Sequence, residues 1–411
     1  LEAGEHLHKR ILLLGPTGVD KAEAAKRVCA RLKAKLGHEI KYIDFENEYL
    51  KQHLNVKNWT IFLAQDIAQQ ATTWRRGWED FKRQLDGETV LLGLHASYIS
   101  GPLGLRSPIY LPSICEDFQP TLIISLIDDV YQMWSRTEAR AAGQEIKGRP
   151  SFEQLLVARR AEQLLGDLVL SHTGNAKARH ILCAAGNNID ALINLIVFDA
   201  SVTYLSFPIS APREMAANGD TRFIELINDA HRRAAVEMTA NRSRAFISPL
   251  SIDELPLAFK ARSLDQDVNE ITFDCEHDRW NLADLWGNSE LPILPSLTGT
   301  QIYPRVQVET AFGTLLTDVG WRDRRLVLQS ASLAIVCPKP PLENRITRGV
   351  NEEIQTAVPL GIICNIWQKP EWDSEDFVGK TFPPAGSMGI GQTQAVVQKV
   401  KTLDELIRAE P

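Results

Sequence analysis

The chain has 411 residues, 44% of them apolar and 24% charged, which suggests two domains and is too apolar for a disordered chain. No apolar run approaches the ~20 residues of a membrane span, and the first residues, LEAGEHLHKR, carry no apolar core of signal-peptide length, so neither a membrane protein nor a secreted one is expected. The net charge is −7, all of it in residues 201–411, where 21 Lys and Arg face 28 Asp and Glu; that acidic half is a poor platform for a nucleic-acid backbone.

Taken in chain order, short apolar runs alternate with stretches of helical period. Strands are predicted over Arg10–Leu14 (RILLL), Lys41–Phe45, Thr89–Leu94, Thr121–Ile127 and His180–Ala184. Helices are predicted in AEAAKRVCARLKAKL and SFEQLLVARRAEQLLGDLVL. The same rhythm restarts at Val202–Ile209, passes through the helical TRFIELINDAHRRAAVEMTA, and reaches strands at Leu333–Cys337 and Gly361–Trp367. Strands apolar on both faces and separated by helices predict an α/β protein with two doubly wound parallel sheets. The restart places the domain boundary between 199 and 200, giving domains 1–199 and 200–411. Residues 265–310 read as loops and short elements, and the tail from 368 as irregular chain ending in a helix, QAVVQKVKTLDELIRA. Six widely spaced cysteines without a CxxC pair fit reduced, buried thiols in a cytoplasm. His277 beside Cys275, Glu276 and Asp278 lacks helical ligand spacing, so no metal site is predicted; the glycines at 386, 389 and 391 lack a strand-to-helix setting and read as turns.

The first candidate site is Gly15-Pro-Thr-Gly18-Val-Asp20-Lys21-Ala22, which follows a strand and opens a helix. Backbone N–H groups, a helix start and a lysine in that setting can receive a phosphate. The full GxxxxGK[ST] pattern is damaged: Asp20 stands at its second glycine and Ala22 at the hydroxyl residue that normally holds Mg²⁺. With Gly15, Gly18 and Lys21 kept, binding of ATP or another nucleotide is expected more than phosphoryl transfer. Residues 9–197 resemble nucleoside and nucleotide kinases of the adenylate-kinase type. TLIISLIDDVYQMWSR and the helix bearing Arg159 and Arg160 stand where those kinases have lid-region helices. The resemblance implies a P-loop kinase-like domain in which Arg136, Arg140, Arg159 and Arg160 correspond to phosphate-clamping arginines; the alternative for each is a solvated helix face.

The second candidate site lies in the carboxy-terminal half. Val202-Thr-Tyr204-Leu-Ser206 is followed by Ser210 and Arg213, where parallel sheets place ligands. Further on come Trp321-Arg-Asp323 before a strand, and Asn351-Glu352-Glu353 with Ala357, Leu360 and Gly361 before another. Residues 202–367 resemble the nucleoside 2-deoxyribosyltransferase superfamily, including its deoxynucleotide N-glycoside hydrolases, with insertions near 265–310 and 338–349. The resemblance implies a flavodoxin/Rossmann-like domain, a reactive glutamate at Glu353 and an aromatic partner at Tyr204. It also implies an aspartate at Asp323, or at Asp318 if the register slips, and an oligomer whose pockets are completed across subunits. The serine that precedes the glutamate motif in phosphate-binding members is missing from KPPLENRITRG, where Thr347 and Arg348 are the candidates to replace it.

Without the family the chemistry is still coherent. Breaking an N-glycosidic bond develops positive charge on the sugar, which a carboxylate below the anomeric carbon can trap. Near a helix start the macrodipole favours the Glu353 anion by about 0.3–1 kcal/mol, under one pKa unit downward at about 1.36 kcal/mol per unit. A charged nucleophile is expected, with Asp323 protonating the leaving group and Ser206, Ser210, Arg213, Asp318 and Asn351 contacting substrate. The leading expectation is therefore an N-glycosidase acting on a nucleoside, nucleotide or NAD, needing no cofactor for that step, behind a nucleotide-binding domain. Two alternatives stay open: a nucleotide sensor without turnover, regulated by another protein or regulating one, and an active nucleotide kinase coupled to a nucleoside-processing domain. A sensor fused to a nucleotide-destroying module would suit an antiviral response.

Overall fold

The computed structural model describes residues 9–54, 59–85, 87–99, 104–141, 150–265, 267–279, 285–286, 291–341, 346–372 and 397–409. The chain forms an α/β protein with two five-stranded parallel sheets, and it divides into two compact units. The division is not one cut at 199/200. The first unit takes residues 1–189 and recovers 252–279 and 293–318; the second takes 190–251, 280–292 and 319–411. Buried charge and aromatic packing explain the return. Glu254 and Asp318 pair with Arg159, and Tyr303 packs against Tyr131, Trp134 and Phe152, so these later segments belong to the first core.

In the first unit the strands are β1 (Arg10–Leu14), β2 (Lys41–Asp44), β3 (Val90–Gly93), a short hairpin β4 (Tyr98–Ile99) and β5 (Leu105–Arg106), then β6 (Leu122–Ile127) and β7 (Arg179–Ala184). The sheet order is β2-β3-β1-β6-β7, with Leu12 opposite Leu92 on one side and Ile123 on the other. β1, β3 and β6 are apolar on both faces because helices cover both, which is why they stand out in the sequence. The helix Lys21–Leu36 starts at Asp20, whose side chain accepts from the Glu23 N–H, and stops at Gly37 in the left-handed region. The helix Phe152–His172 begins with a reciprocal Ser151–Gln154 capping box. Phe45, Trp74, Trp78 and Phe81 pack as one aromatic cluster against the sheet. Where the sequence predicted loops, β10 (Glu270–Asp274) and β11 (Thr300–Pro304) pair antiparallel. Their pairing joins residues far apart in sequence, from Asp274 with Thr300 to Glu270 with Pro304, and no local turn signal announces it.

The second unit holds β8 (Ser201–Ser206), β9 (Arg244–Ile247), β12 (Ser332–Val336), β13 (Ile363–Trp367) and β14 (Val397–Lys399), in the order β14-β13-β12-β8-β9. Numbered along the unit, that order is 2-1-3-4-5, with the reversal between its first strand, β8, and its third, β12. Tyr204 lies opposite Leu333 and Ser206 opposite Ile335. The tail predicted as one helix is instead β14, paired with β13, followed by a short helix Leu403–Arg408 that starts at Thr402. Open main-chain groups at the edge of β13 recruit Val397–Lys399 as a fifth strand, and the Thr402 cap starts the helix only after it. Gly386, Gly389 and Gly391 lie outside the described residues.

Candidate functional site

Alternation along β8 puts Tyr204 and Ser206 on one face of the sheet, while Thr203 faces the other and bonds Ser332. Their common face meets the helix Arg348–Ala357, which buries Val350, Ile354 and Ala357 and thereby turns Glu353 toward β8. The Tyr204 hydroxyl donates to Glu353 Oε1 at 2.6 Å, and the Ser206 hydroxyl donates to Oε2. Tyr204 and Ser206 are fully buried, whereas Glu353 keeps partial exposure. One acid is thus gripped on both oxygens within a residue that is half-buried as a whole. It sits at the carboxyl end of β8, beside β12, where the strand order reverses; open parallel sheets bind ligands in the crevice at such a point.

The electrostatics differ from expectation. Glu353 is the sixth residue of its helix, beyond the first turn where the macrodipole acts. Burial pushes its carboxyl up to about 8, the Ser206 and Tyr204 hydrogen bonds pull against that rise, and the negative charge of Asp323 adds to it. The expected low-pKa carboxylate is therefore corrected: at neutral pH the unliganded acid mostly holds its proton. Burial also raises Tyr204 far above its ordinary value, reinforced by Glu353 and Asp323, so the phenol stays neutral.

Asp323 thus belongs electrostatically to this site. Arg322, buried beside it, donates to its Oδ1 at 2.9 Å and partly offsets the negative field at Tyr204. Arg322 was not singled out from WRDRR, because nothing in a run of charges says which member points inward. Ser210 is exposed at the start of the helix Ser210–Ala217, Arg213 is half-buried within it, and Asn351 is half-buried near the start of the Glu353 helix; none is a hydrogen-bond partner of Glu353. Asp318 is not a substrate contact. It lies in the first unit, where Arg159 and Arg160 each bond one of its carboxylate oxygens, and they hold it ionised against the cost of burial.

The first unit also corrects the arginine assignments. Arg159 is neither solvated nor open to a ligand: it is fully buried, bidentate to Glu254 at 2.7 and 3.1 Å, bonded to Asp318, and donating to the Asp128 carbonyl. Arg136 pairs with Asp128 and approaches the carbonyls of Gly18 and Pro295. The side chain of Arg140 lies outside the described residues. Lys21 is buried and donates to the Gly15 carbonyl at 2.7 Å. Gly15 and Gly18 are required by close backbone: a Cβ would stand 2.8 Å from the Leu126 carbonyl in one and 2.6 Å from that of Met133 in the other, where φ is +93°.

One further constellation imitates a catalytic triad. Ser125 Oγ lies 2.8 Å from His180 Nε2, and His180 Nδ1 lies 2.8 Å from Asp167. Its exposure is reversed, with the serine fully buried and the aspartate at the surface, so it satisfies a core hydroxyl instead of presenting a nucleophile. His277 pairs with Asp274 on an exposed turn, and among the described residues no three His, Cys, Asp or Glu side chains are grouped to hold a metal. All six cysteines are unpaired. Among the described residues no helix is long and apolar enough to cross a membrane. No protein-family model matches the chain, and no curated protein matches it.

Proposed function

We propose that the second unit is an N-glycosidase that releases the base from a nucleoside or nucleotide, or nicotinamide from NAD, with Glu353 as the reacting group. The observation that carries the reading is the carboxyl of Glu353, gripped by Tyr204 and Ser206 at the reversal point of a parallel sheet, on a residue that is only half-buried. The 2-1-3-4-5 order is that of flavodoxin-like sheets, whose crevice receives nucleotides.

In this mechanism the ionised carboxylate attacks the anomeric carbon as the N-glycosidic bond breaks. The bonding pair leaves with the base nitrogen; a purine or pyrimidine takes a proton from solvent by way of Asp323, whereas nicotinamide leaves NAD as a neutral base and needs none. Water then attacks the same carbon, releases the sugar and restores Glu353, so one water is consumed per base released. Tyr204 and Ser206 orient both oxygens and share their negative charge. Because the free enzyme holds Glu353 mostly protonated, only about a tenth is ready to attack at pH 7, and the reactive fraction grows as pH rises toward 8.

The raised pKa also favours one other reading, a nucleotide-binding module without turnover, in which protonated Glu353 donates a hydrogen bond to its ligand. Incubating the purified chain with a panel of nucleosides, their 5′-monophosphates and NAD, and following free base by chromatography, separates the two. Base release lost in Glu353→Gln supports the glycosidase. Saturable binding with no product in any arm supports the binding module.

A further inference from the structure

The loop that the sequence offers as a phosphate cradle already contains a carboxyl group. Glu162, on the helix Phe152–His172 and fully buried, accepts from the Gly15 N–H at 3.2 Å, the Ala96 N–H at 3.0 Å, the Ser97 N–H at 2.8 Å and the Ser97 hydroxyl at 2.8 Å. Gly15 follows β1, while Ala96 and Ser97 follow β3, the adjacent strand. Four donors from two neighbouring strand ends therefore converge on one carboxylate, enough to fill its acceptor sites. This is the place at which an open parallel sheet presents its amides to a bound anion.

Two further N–H groups of the loop and two of the helix start bond their own chain. Val19 N–H bonds the Pro16 carbonyl, Lys21 N–H bonds the Val19 carbonyl, and the Asp20 side chain and carbonyl take the N–H groups of Glu23 and Ala24. Lys21 Nζ bonds Gly15 O, so the Gly15 peptide is held from both ends, by Lys21 at its oxygen and Glu162 at its nitrogen. Lys21 and His95 add positive potential at Glu162 against the cost of its burial. The Asp20 cap follows from one of the two sequence changes at this loop. With aspartate in place of glycine, the Glu23 N–H at the helix start is capped by the chain's own side chain.

We propose that Glu162 is a built-in occupant of this anion cradle, an autoinhibitory contact that a polyphosphate such as pyrophosphate or a nucleoside triphosphate must displace before it can bind. The inference concerns the first unit and does not rest on the reading of Glu353.

Titration of the intact chain with inorganic pyrophosphate, followed by calorimetry and by amide hydrogen exchange, tests it. The wild-type protein is expected to show no saturable heat at millimolar pyrophosphate, with the Gly15, Ala96 and Ser97 amides protected to the same degree with and without the anion. Glu162→Gln, which keeps the shape but sets an amide against three N–H donors, is expected to bind pyrophosphate at least about tenfold more tightly than wild type. Glu162→Asp, which withdraws the carboxylate while keeping its charge, is expected to lie between them. Saturable binding by the wild type, or a folded Glu162→Gln with unchanged affinity, overturns the proposal. If Glu162→Gln does not fold, the wild-type exchange experiment still decides: anion-dependent protection at Gly15 overturns the proposal, and its absence supports it.

Discussion

Glu162 and Glu353 are both acids at the carboxyl ends of parallel strands, and burial works to raise both. Their surroundings separate them. Glu162 is fully enclosed, collects three backbone N–H groups and a hydroxyl, and feels Lys21 and His95. Glu353 has two hydroxyl donors, feels Asp323 instead of a cation, and is half-buried as a residue. One carboxyl has its acceptor sites filled by its own backbone; the other is left with two donors and a neighbouring negative charge. The difference lies in what the neighbours have spent, and not in the residue type.

Substitutions can break this comparison, in decreasing order of effect. Glu353→Gln is expected to reduce base release at least about a thousandfold while leaving the fold intact, read as kcat/KM beside a circular-dichroism melt. Arg159→Met leaves Glu254 and Asp318 buried with a lost partner and is expected to cost about 3–5 kcal/mol in denaturant unfolding of the first unit. That loss would show that buried charge in the first unit is structural, since it would leave the Glu353 chemistry of the remaining folded protein unchanged.

The pH dependence sharpens the contrast next. If Glu353 attacks as an anion, kcat/KM should climb about tenfold per pH unit below an apparent pKa near about 8 and level off above it. A profile that falls through that pKa would make Glu353 a proton donor instead. Stability should move the other way. Native Glu353 holds its proton up to about 8 whereas the unfolded side chain releases it near 4.5, so the native state binds more protons across that window. Stability of the second unit is then greatest below the lower value and falls as pH rises through it toward the higher one, and Glu353→Gln flattens the slope. The smallest effect is that of Tyr204→Phe. Loss of one hydroxyl donor should lower kcat/KM about tenfold and displace its onset to higher pH, since the Tyr204 bond opposes the rise in the Glu353 pKa.

Particular residues show how far the sequence could be read. β1, β3 and β6 are legible because each is apolar on both faces, and Tyr204, Ser206 and Glu353 could be named as a group before the structure brought them into contact. Arg159 read as a surface or phosphate-binding arginine because a charge on an amphipathic helix carries no mark of its partner, and Glu254 and Asp318 lie 95 and 159 residues away. Glu162 was passed over for the same reason: it stands 147 residues from Gly15, with no local motif to announce it. The helix position of Glu353 predicts only a dipole effect, whereas its pKa is set by burial, which everything packed around it decides.

Local pattern, then, determined the alternation of strands and helices, the two parallel sheets and the positions where loops meet helix starts. These follow from backbone geometry and from apolar period, both of which act over a few residues. Tertiary structure alone decided which charges face one another, which segments return to the first unit, and how the two glutamates are bonded and buried. Coulomb interactions, desolvation and hydrogen bonding depend on separation in space, and folding brings together residues that the sequence keeps more than a hundred positions apart.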